Sequence, residues 1–330
     1  MASTLEHTAT ARVGRPVRPA GILGLGTALP ERVVTNAEVA DRIGQTEEWI
    51  HRRTGITERR YAAPGTELSS LAADAGRAAL LDAGVAGEDI DLVLVASFSQ
   101  DSRMPNAAPV VANRLGATRA GAFDVGSACT GFVAALGTAS ALIGVGDVDT
   151  ALVIGAEIIS RHLDPHDRKT AMLFGDGAGA VVLRADGPGS IGPCVLGADG
   201  ANAQLIVTDP EHEIIAMDGH ETFRQALVRL PEASLAACAA AGLTLADIDL
   251  FIYHQANHRI IVSLIEKLAL PAERVVDCIA EHGNTSAASV PLALGHARQA
   301  GQLRPGMTVL LAAVGAGFTW GATVIEWGRA

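Results

Sequence analysis

Ala83-Gly84-Val85-Ala86-Gly87-Glu88-Asp89-Ile90-Asp91-Leu92 returns later in the chain as Ala241-Gly242-Leu243-Thr244-Leu245-Ala246-Asp247-Ile248-Asp249-Leu250, with six of the ten positions identical. Each copy closes an Ala-rich stretch of helical period and opens an apolar run of strand length. The agreement extends outward. After each strand comes a helix ending in Arg114-Leu115-Gly116 or Lys267-Leu268-Ala269, then a second strand. A turn of small residues follows (GSACTG from Gly126, GNTSAAS from Gly283), then another helix and another apolar strand (TALVIGAE from Thr150, TVLLAAVGAG from Thr308). Order and spacing agree as well as the local match, so the chain reads as two copies of one α/β unit rather than a chance echo between Ala-rich segments. Duplicated halves place equivalent turns near a common pseudo-twofold axis, where one site can draw residues from both.

The same alternation covers the rest. Gly21–Gly26 (GILGLG) reads as a strand, Glu67–Gly84 as a helix ending at the glycine, Asp91–Ser97 as a buried strand, and Pro105–Leu115 as a helix opened by proline. This βαβα rhythm specifies an α/β fold whose sheets are covered by helices. We divide the chain into a flexible tail at 1–20, a first half at 21–188 and a second half at 189–330.

Composition limits the function. The 330 residues are 49% hydrophobic and 18% charged, ample for a core and below the roughly 25% charged of an average globular chain. With 25 Lys and Arg against 36 Asp and Glu, the formal net charge is −11; nucleic acid is excluded as a partner because there is no counterion-release affinity to gain. No apolar run reaches the length of about 18 residues that a membrane helix needs. The first twenty residues lack the apolar core of a secretory signal, and a cytoplasmic enzyme is expected. Cys129, Cys194, Cys238 and Cys278 are scattered without a C-x-x-C pair and read as free thiols.

Three places carry chemistry. In FDVGSACTGFVAALG, a strand ending at Asp124 or Val125 is followed by small residues and by Cys129 at the start of a helix, where the helix dipole favours a thiolate and the neighbours leave room for substrate. The other three cysteines read as small core residues. In DLFIYHQANHRI, His254 stands at the C-terminal end of a strand, where α/β proteins place ligands. His254 and His258 are four apart, yet without a Glu partner of the zincin kind they specify no metal, and no metal is expected. In EHGNTSAASVPLAL, Asn284 occupies the second-half turn equivalent to that of Cys129. Asn is also a common helix cap, but the duplication brings Cys129, His254 and Asn284 toward one axis. The Gly-rich FGDGAGA at Phe174–Ala180 fits neither phosphate-loop pattern and reads as a tight turn between strands.

These motifs, CTGF, FGDGAGA, HQAN-x-RI, GNTSAASVPLAL and GAGFTWG, with TEEWI-x-x-RTGI-x-ER at Thr46–Arg59, resemble the β-ketoacyl-acyl-carrier-protein synthase III family of thiolase-like condensing enzymes, from about Gly21 to Trp327. The resemblance implies a thiolase-like fold of two similar halves in a five-layer αβαβα arrangement, usually a homodimer. It implies that Cys129 takes an acyl group from acyl-CoA and that His254 and Asn284 bind the thioester carbonyl of malonyl-acyl carrier protein (ACP). Decarboxylation and Claisen condensation follow, starting a fatty-acid or polyketide chain. A soft thiolate and two donors aimed at the developing enolate oxygen suit that chemistry. The coenzyme A thioester is then a substrate, and no cofactor is implied.

Also by resemblance, the backbone N–H groups of Cys129 and Ala316 form an oxyanion hole. Trp49 and Arg168 sandwich the adenine of coenzyme A, Arg53 lies near its phosphates, and Asn257 and Gly219 border the pantetheine arm. Arg224, Arg259 and Lys267, with Glu266 among them, form the docking patch for an acidic carrier protein. Met104, Met172, Leu173 and Val314 border the acyl pocket, Met104 by reaching into the partner's pocket in a dimer. Val314 and Met104 stand where acetyl-specific relatives carry Phe, Ala316 replaces a glycine, and Gln45 replaces a small hydroxyl residue, so the starter is left open. The alternatives are a relative that passes the acyl group from Cys129 to a hydroxyl or amine, a non-catalytic partner subunit, and a cysteine hydrolase.

Overall fold

The apolar runs form two mixed sheets with the same strand plan. The computed structural model describes residues 17–209 and 211–328. In the first half run β1 (Ala20–Ala28), β2 (Arg32–Thr35), α1 (Asn36–Ile43), α2 (Glu47–Thr54), β3 (Glu58–Tyr61) and α3 (Leu68–Ala83). They are followed by β4 (Leu92–Ala96), α4 (Ala107–Arg114), β5 (Gly121–Val125), α5 (Gly131–Gly144), β6 (Thr150–Glu157) and β7 (Gly177–Ala185). Then come β8 (Gly189–Ile191), β9 (Val195–Ala198), β10 (Ile206–Thr208), β11 (Ile215–Met217), α6 (Gly219–Ala240) and β12 (Leu250–Tyr253). The chain closes with α7 (His258–Leu268), α8 (Ile279–His282), α9 (Ser289–Gln299), β13 (Met307–Gly315) and β14 (Thr319–Trp327).

The first sheet has the order β1-β7-β6-β4-β5 and the second β8-β14-β13-β12, with β9 also on β14. Strand for strand, β4 and β6 are parallel as β12 and β13 are, and β7 is antiparallel to β6 as β14 is to β13. The counterpart of β5 in the second half is reduced to a parallel bridge between Phe251 and Val275. Helices α3 and α4 cover the outer face of the first sheet, and α6 and α7 that of the second. Helices α5 and α9 lie between the sheets, giving five layers, αβαβα. A two-layer version would leave one face of each apolar sheet in water.

Local chemistry sets these elements. α3 packs so closely on β1 that a Cβ at Gly24 or Gly26 would lie 2.4 or 2.2 Å from α3 backbone atoms at Ala79, which is why this strand reads GILGLG. The first two amides of α3 donate to the Asp101 carboxylate, and those of α4 to Asp124, satisfying donors that a helix start leaves open.

Three expectations need correction. Cys129 does not open the long helix: it sits in a 3₁₀ turn at Ala128–Thr130, and α5 begins at Gly131. Gly177–Ala180 of the Gly-rich segment are part of β7 rather than a turn, with Gly179 bare because α9 crosses at Pro291. Most of the tail expected at 1–20 lies outside the described residues. Within it, Arg18 pairs with Asp149 at 2.6 Å, its amide donates to Gly144 O, and Ala20 is already strand.

The halves touch at their equivalent turns. Ala128 and Ser286 open 3₁₀ turns ahead of α5 and α9, and both hold positive φ, 43° and 48°. L-residues adopt this conformation at a cost, and a fold retains it where it serves the site. A Cβ on Gly155 of β6 would lie 2.2 Å from Ala287 O. Gly155→Ala should therefore cost about 1–3 kcal/mol by overpacking, lowering Tm by about 2–4 °C per kcal/mol. Gly200→Ala, with nothing within 4 Å of its Cβ position, should leave Tm unchanged; equal Tm values for the two variants in a thermal melt would disprove the tight contact.

Candidate active site

A cleft of about 1360 Å³ opens between the halves, with Cys129, His254 and Asn284 at its inner end and Trp49, Arg53 and Arg168 toward the surface. Each inner residue is delivered by the end of an element. Cys129 is half-buried in its strained turn. Gly315, the last residue of β13, abuts it so closely that a Cβ there would stand 2.9 Å from the Cys129 amide nitrogen. Ala316 lines the cleft just beyond.

His254 follows β12, its amide bonded to Ala312 O at 2.8 Å. The ring is buried, Nδ1 has no hydrogen-bond partner among the described residues, and burial pulls the imidazole down to about 3. His254 is accordingly a neutral ring across the physiological range. Asn284 is held by its own backbone, donating to Leu173 O and accepting from Gly175 N. Its side-chain Oδ1 accepts from Ser286 N at 2.9 Å. Asn284 caps neither the 3₁₀ turn, whose cap is Thr285, nor α9, whose cap is Ala288; its amide oxygen instead braces the turn two residues on, and the NH₂ group is the other end of the same amide.

The Cys129 thiol departs from expectation. Burial pushes it up to about 12, opposed by the Ser286 hydroxyl and the cysteine's own amide and assisted by the Glu157 charge. The helix start does not outweigh the dry surroundings, and the unliganded thiol keeps its proton.

Glu157, at the end of β6, was not singled out from the sequence. It is fully buried, and its Oε2 accepts from the hydroxyls of Ser97 and Ser99 and from the amides of Phe98 and Ser99, at 2.5–3.3 Å. Its Oε1 accepts from the Ser286 hydroxyl across the junction at 3.0 Å. Burial nevertheless pushes this carboxyl up to about 7. The available signal was a lone acid closing an otherwise apolar strand, TALVIGAE.

The outer residues are placed less as expected. It is Arg53, not Arg168, whose guanidinium lies over the Trp49 ring, 4.6 Å from its centre; Arg168 is exposed and also lines the cleft. Both ends of the Asn257 amide are engaged, one capping α7 at Arg259 N and the other donating to Arg53 O. Gly219 opens α6 at the cleft edge, and Gln45 lines the cleft. Met172, Leu173 and Val314 line the cleft; Met104, 88% exposed on its loop, does not enter the cleft of its own chain. On α6 and α7, Arg224 is matched by Glu221, Lys267 donates to Leu227 O, and Arg259 stands over Phe223. Glu221 offsets part of the positive charge expected there.

Residues 123–200 match the family model for 3-oxoacyl-[acyl-carrier-protein] synthase III, and residues 238–327 match the model of that enzyme's C-terminal part. The chain is 47% identical over 312 residues to β-ketoacyl-[acyl-carrier-protein] synthase III 2 of Streptomyces coelicolor, covering 94% of each chain. This chain belongs to the β-ketoacyl-acyl-carrier-protein synthase III family. The synthase III of Bordetella petrii is 45% identical, covering 94% of this chain and 99% of its own. Among solved structures, 3-oxoacyl-(acyl carrier protein) synthase III of Pseudomonas aeruginosa superposes with a TM-score of 0.91 at 41% identity, covering 94% of this chain and 99% of the other. The priming β-ketosynthase of the R1128 polyketide pathway gives 0.90 at 37% identity, covering 94% and 97%. The thiolase-like, five-layer fold and the acyltransferase class are those of synthase III relatives. No helix among the described residues is long and apolar enough to cross a membrane.

The state of Glu157 has a measurable consequence. An unfolded glutamate titrates near 4.5, whereas this one is held to about 7. Between those values the folded protein keeps a proton that the unfolded chain has released, so stability falls as pH rises, by up to about 3 kcal/mol at neutrality. Glu157→Gln removes that slope. The Tm of the variant relative to the unaltered protein should climb from pH 4.5 to 7, and a pH-independent difference would contradict the raised carboxyl.

Proposed function

We propose that this protein starts acyl chains: Cys129 is acylated by an acyl-CoA, and the thioester is condensed with malonyl-ACP with loss of CO₂. The observation that supports the reading is that Cys129, His254 and Asn284, drawn from both halves, line one cleft. We take 21–188 as the half that supplies the nucleophile and 189–330 as the half that supplies the two donors.

Because the thiol is protonated at rest, its proton leaves as sulfur attacks the acyl carbonyl, and the coenzyme departs as a thiol carrying one proton, so the step balances. The amides of Cys129 and Ala316 hold the oxyanion of that tetrahedral intermediate. In the second half-reaction an N–H of the neutral His254 ring and the Asn284 NH₂ donate to the malonyl thioester oxygen. As CO₂ leaves, that oxygen takes the enolate charge; the carbanion carbon then attacks the acyl-Cys129 carbonyl, the carbon–sulfur bond breaks, and Cys129 leaves as a thiolate that takes up one proton from water to restore the resting thiol. No base is needed to form the carbanion, and no cofactor takes part. Trp49, Arg53, Arg168, Asn257 and Gly219 accept coenzyme A, and Arg224, Arg259 and Lys267 receive the carrier protein. The exposure of Met104 supports a homodimer in which that side chain reaches the partner's acyl pocket. The setting proposed is the cytoplasm, where both thioesters are made.

Cys129→Ala should abolish acyl-enzyme formation, while His254→Ala and Asn284→Ala should keep self-acylation and lose about 10²–10³ in CO₂ release from malonyl-ACP. Intact-mass spectrometry and CO₂ assay separate the half-reactions. CO₂ release unaffected by Asn284→Ala would overturn the role given to Asn284, and no CO₂ release by the unaltered protein would favour transfer to a hydroxyl or amine instead.

Val314 replaces a rigid ring on the cleft wall, and each extra buried starter CH₂ can contribute about 0.8 kcal/mol where room exists. Branched or medium-length acyl-CoAs should acylate Cys129 with higher kcat/KM than acetyl-CoA, and Val314→Phe should shift preference toward acetyl. If acetyl-CoA is the best donor and Val314→Phe changes only CO₂ release, the wide-pocket reading fails.

A further inference from the structure

Three ligand-type side chains with no part in the chemistry above meet in the second half. Cys278 precedes α8, His282 closes α8 four residues later, and His296 reaches in from α9. Their sulfur and ring-nitrogen atoms all lie within 4.8 Å of one another. Cys278 is 3% exposed, and its amide donates to Gln255 Oε1. His282 Nδ1 is buried with no partner among the described residues. The His282 and His296 rings stand edge to face, 6.4 Å between centres. A buried polar atom left unpaired in a native fold calls for an explanation, and an absent water or ion is a principal one.

The spacing of His254 and His258 does not build this cluster. His254 stands in the cleft, and His258 is taken by Asp277. It is His296, one turn from the end of α9, that completes a set with Cys278 and His282.

We propose that Cys278, His282 and His296 bind one borderline-soft divalent cation, Zn²⁺ by preference, with a fourth position open to water. A thiolate with two imidazoles is the donor set such a cation favours, whereas Mg²⁺ and Ca²⁺ call for oxygen. Bonds of about 2.3 Å to sulfur and 2.0–2.1 Å to nitrogen put tetrahedral ligand atoms about 3.3–3.7 Å apart, a spacing within reach of side chains whose ligand atoms already lie within 4.8 Å of one another. Asp277 and Glu281 face Cys278, and Glu281 with Arg60 faces His282; this surround is net acidic and suits a cation.

The position gives the site a function. α8 and α9 flank the turn at 283–288 that carries Asn284 and Ser286. A cation shared by His282 and His296 ties the two ends of that turn together; it bears directly on the step that uses Asn284, and it reaches the Cys129 turn of the other half only through the junction at Ser286. This consequence rests on the proposed condensing reaction; the site does not.

The test is a titration of metal-free, full-length protein with Co²⁺ alone, read by absorption. One equivalent per chain should give tetrahedral d–d bands and a thiolate-to-cobalt charge-transfer band, both displaced by Zn²⁺ and both retained in Cys129→Ser. Cys278→Ser should lose the charge-transfer band, and His296→Ala, at a partly exposed position, should weaken binding at least about tenfold. A wild-type protein with no cobalt spectrum, or a thiolate band that persists in Cys278→Ser, overturns the site. Zn²⁺ loading should slow CO₂ release several-fold and leave self-acylation unchanged; equal slowing of both overturns the coupling, and the cobalt spectra stand whether or not malonyl-ACP is a substrate.

Discussion

The back-to-back contact of two strained turns, one ahead of α5 and one ahead of α9, is the constraint on which the rest of the structure depends. Only small residues fit there: Gly155 faces the Ala287 carbonyl, and Gly315 faces the Cys129 amide. Both sheets direct strand ends to this point, so side chains from opposite halves share one cleft. The buried bond from Ser286 to Glu157 crosses the same junction. A larger residue at either glycine meets backbone of the facing turn rather than a side chain that can swing aside.

The dryness that this packing creates sets the chemistry of the site. It raises the Cys129 thiol and the Glu157 carboxyl and lowers the His254 ring, all by the same penalty on charge. At neutral pH the three groups proposed to react are thus an uncharged thiol, an uncharged imidazole and an amide. In the proposed reaction charge enters with the substrate and is met by donors, which are most effective where water is absent.

The two-copy plan was legible because duplication leaves both a local match and a matching order of elements, and because strands buried on both faces read as continuous apolar runs of strand length. Cys129, His254 and Asn284 were legible for a related reason: each ends a strand or opens a turn at an equivalent place in its copy. Glu157 was missed because its role comes from Ser97, Ser99 and Ser286, residues far apart in the chain that only folding gathers. The protonated thiol was missed because a helix start is visible in sequence and the low polarity around it is not. The cluster at Cys278 was missed because periodicity does not say which face of α9 turns toward α8. The Trp49 and Arg53 contact follows from one helical turn of α2, whereas Arg168 belongs to a loop whose course no pattern specifies.

The repeated turn has one further effect, on stoichiometry. Ala287 holds in the second turn the place that Cys129 holds in the first, yet it is fully buried while Cys129 borders the cleft. A nucleophile at Ala287 would face the packed junction and never meet a thioester. Two equivalent turns therefore bring a single thiol to the cleft, and in the proposed reaction each chain carries one acyl group however symmetric its architecture.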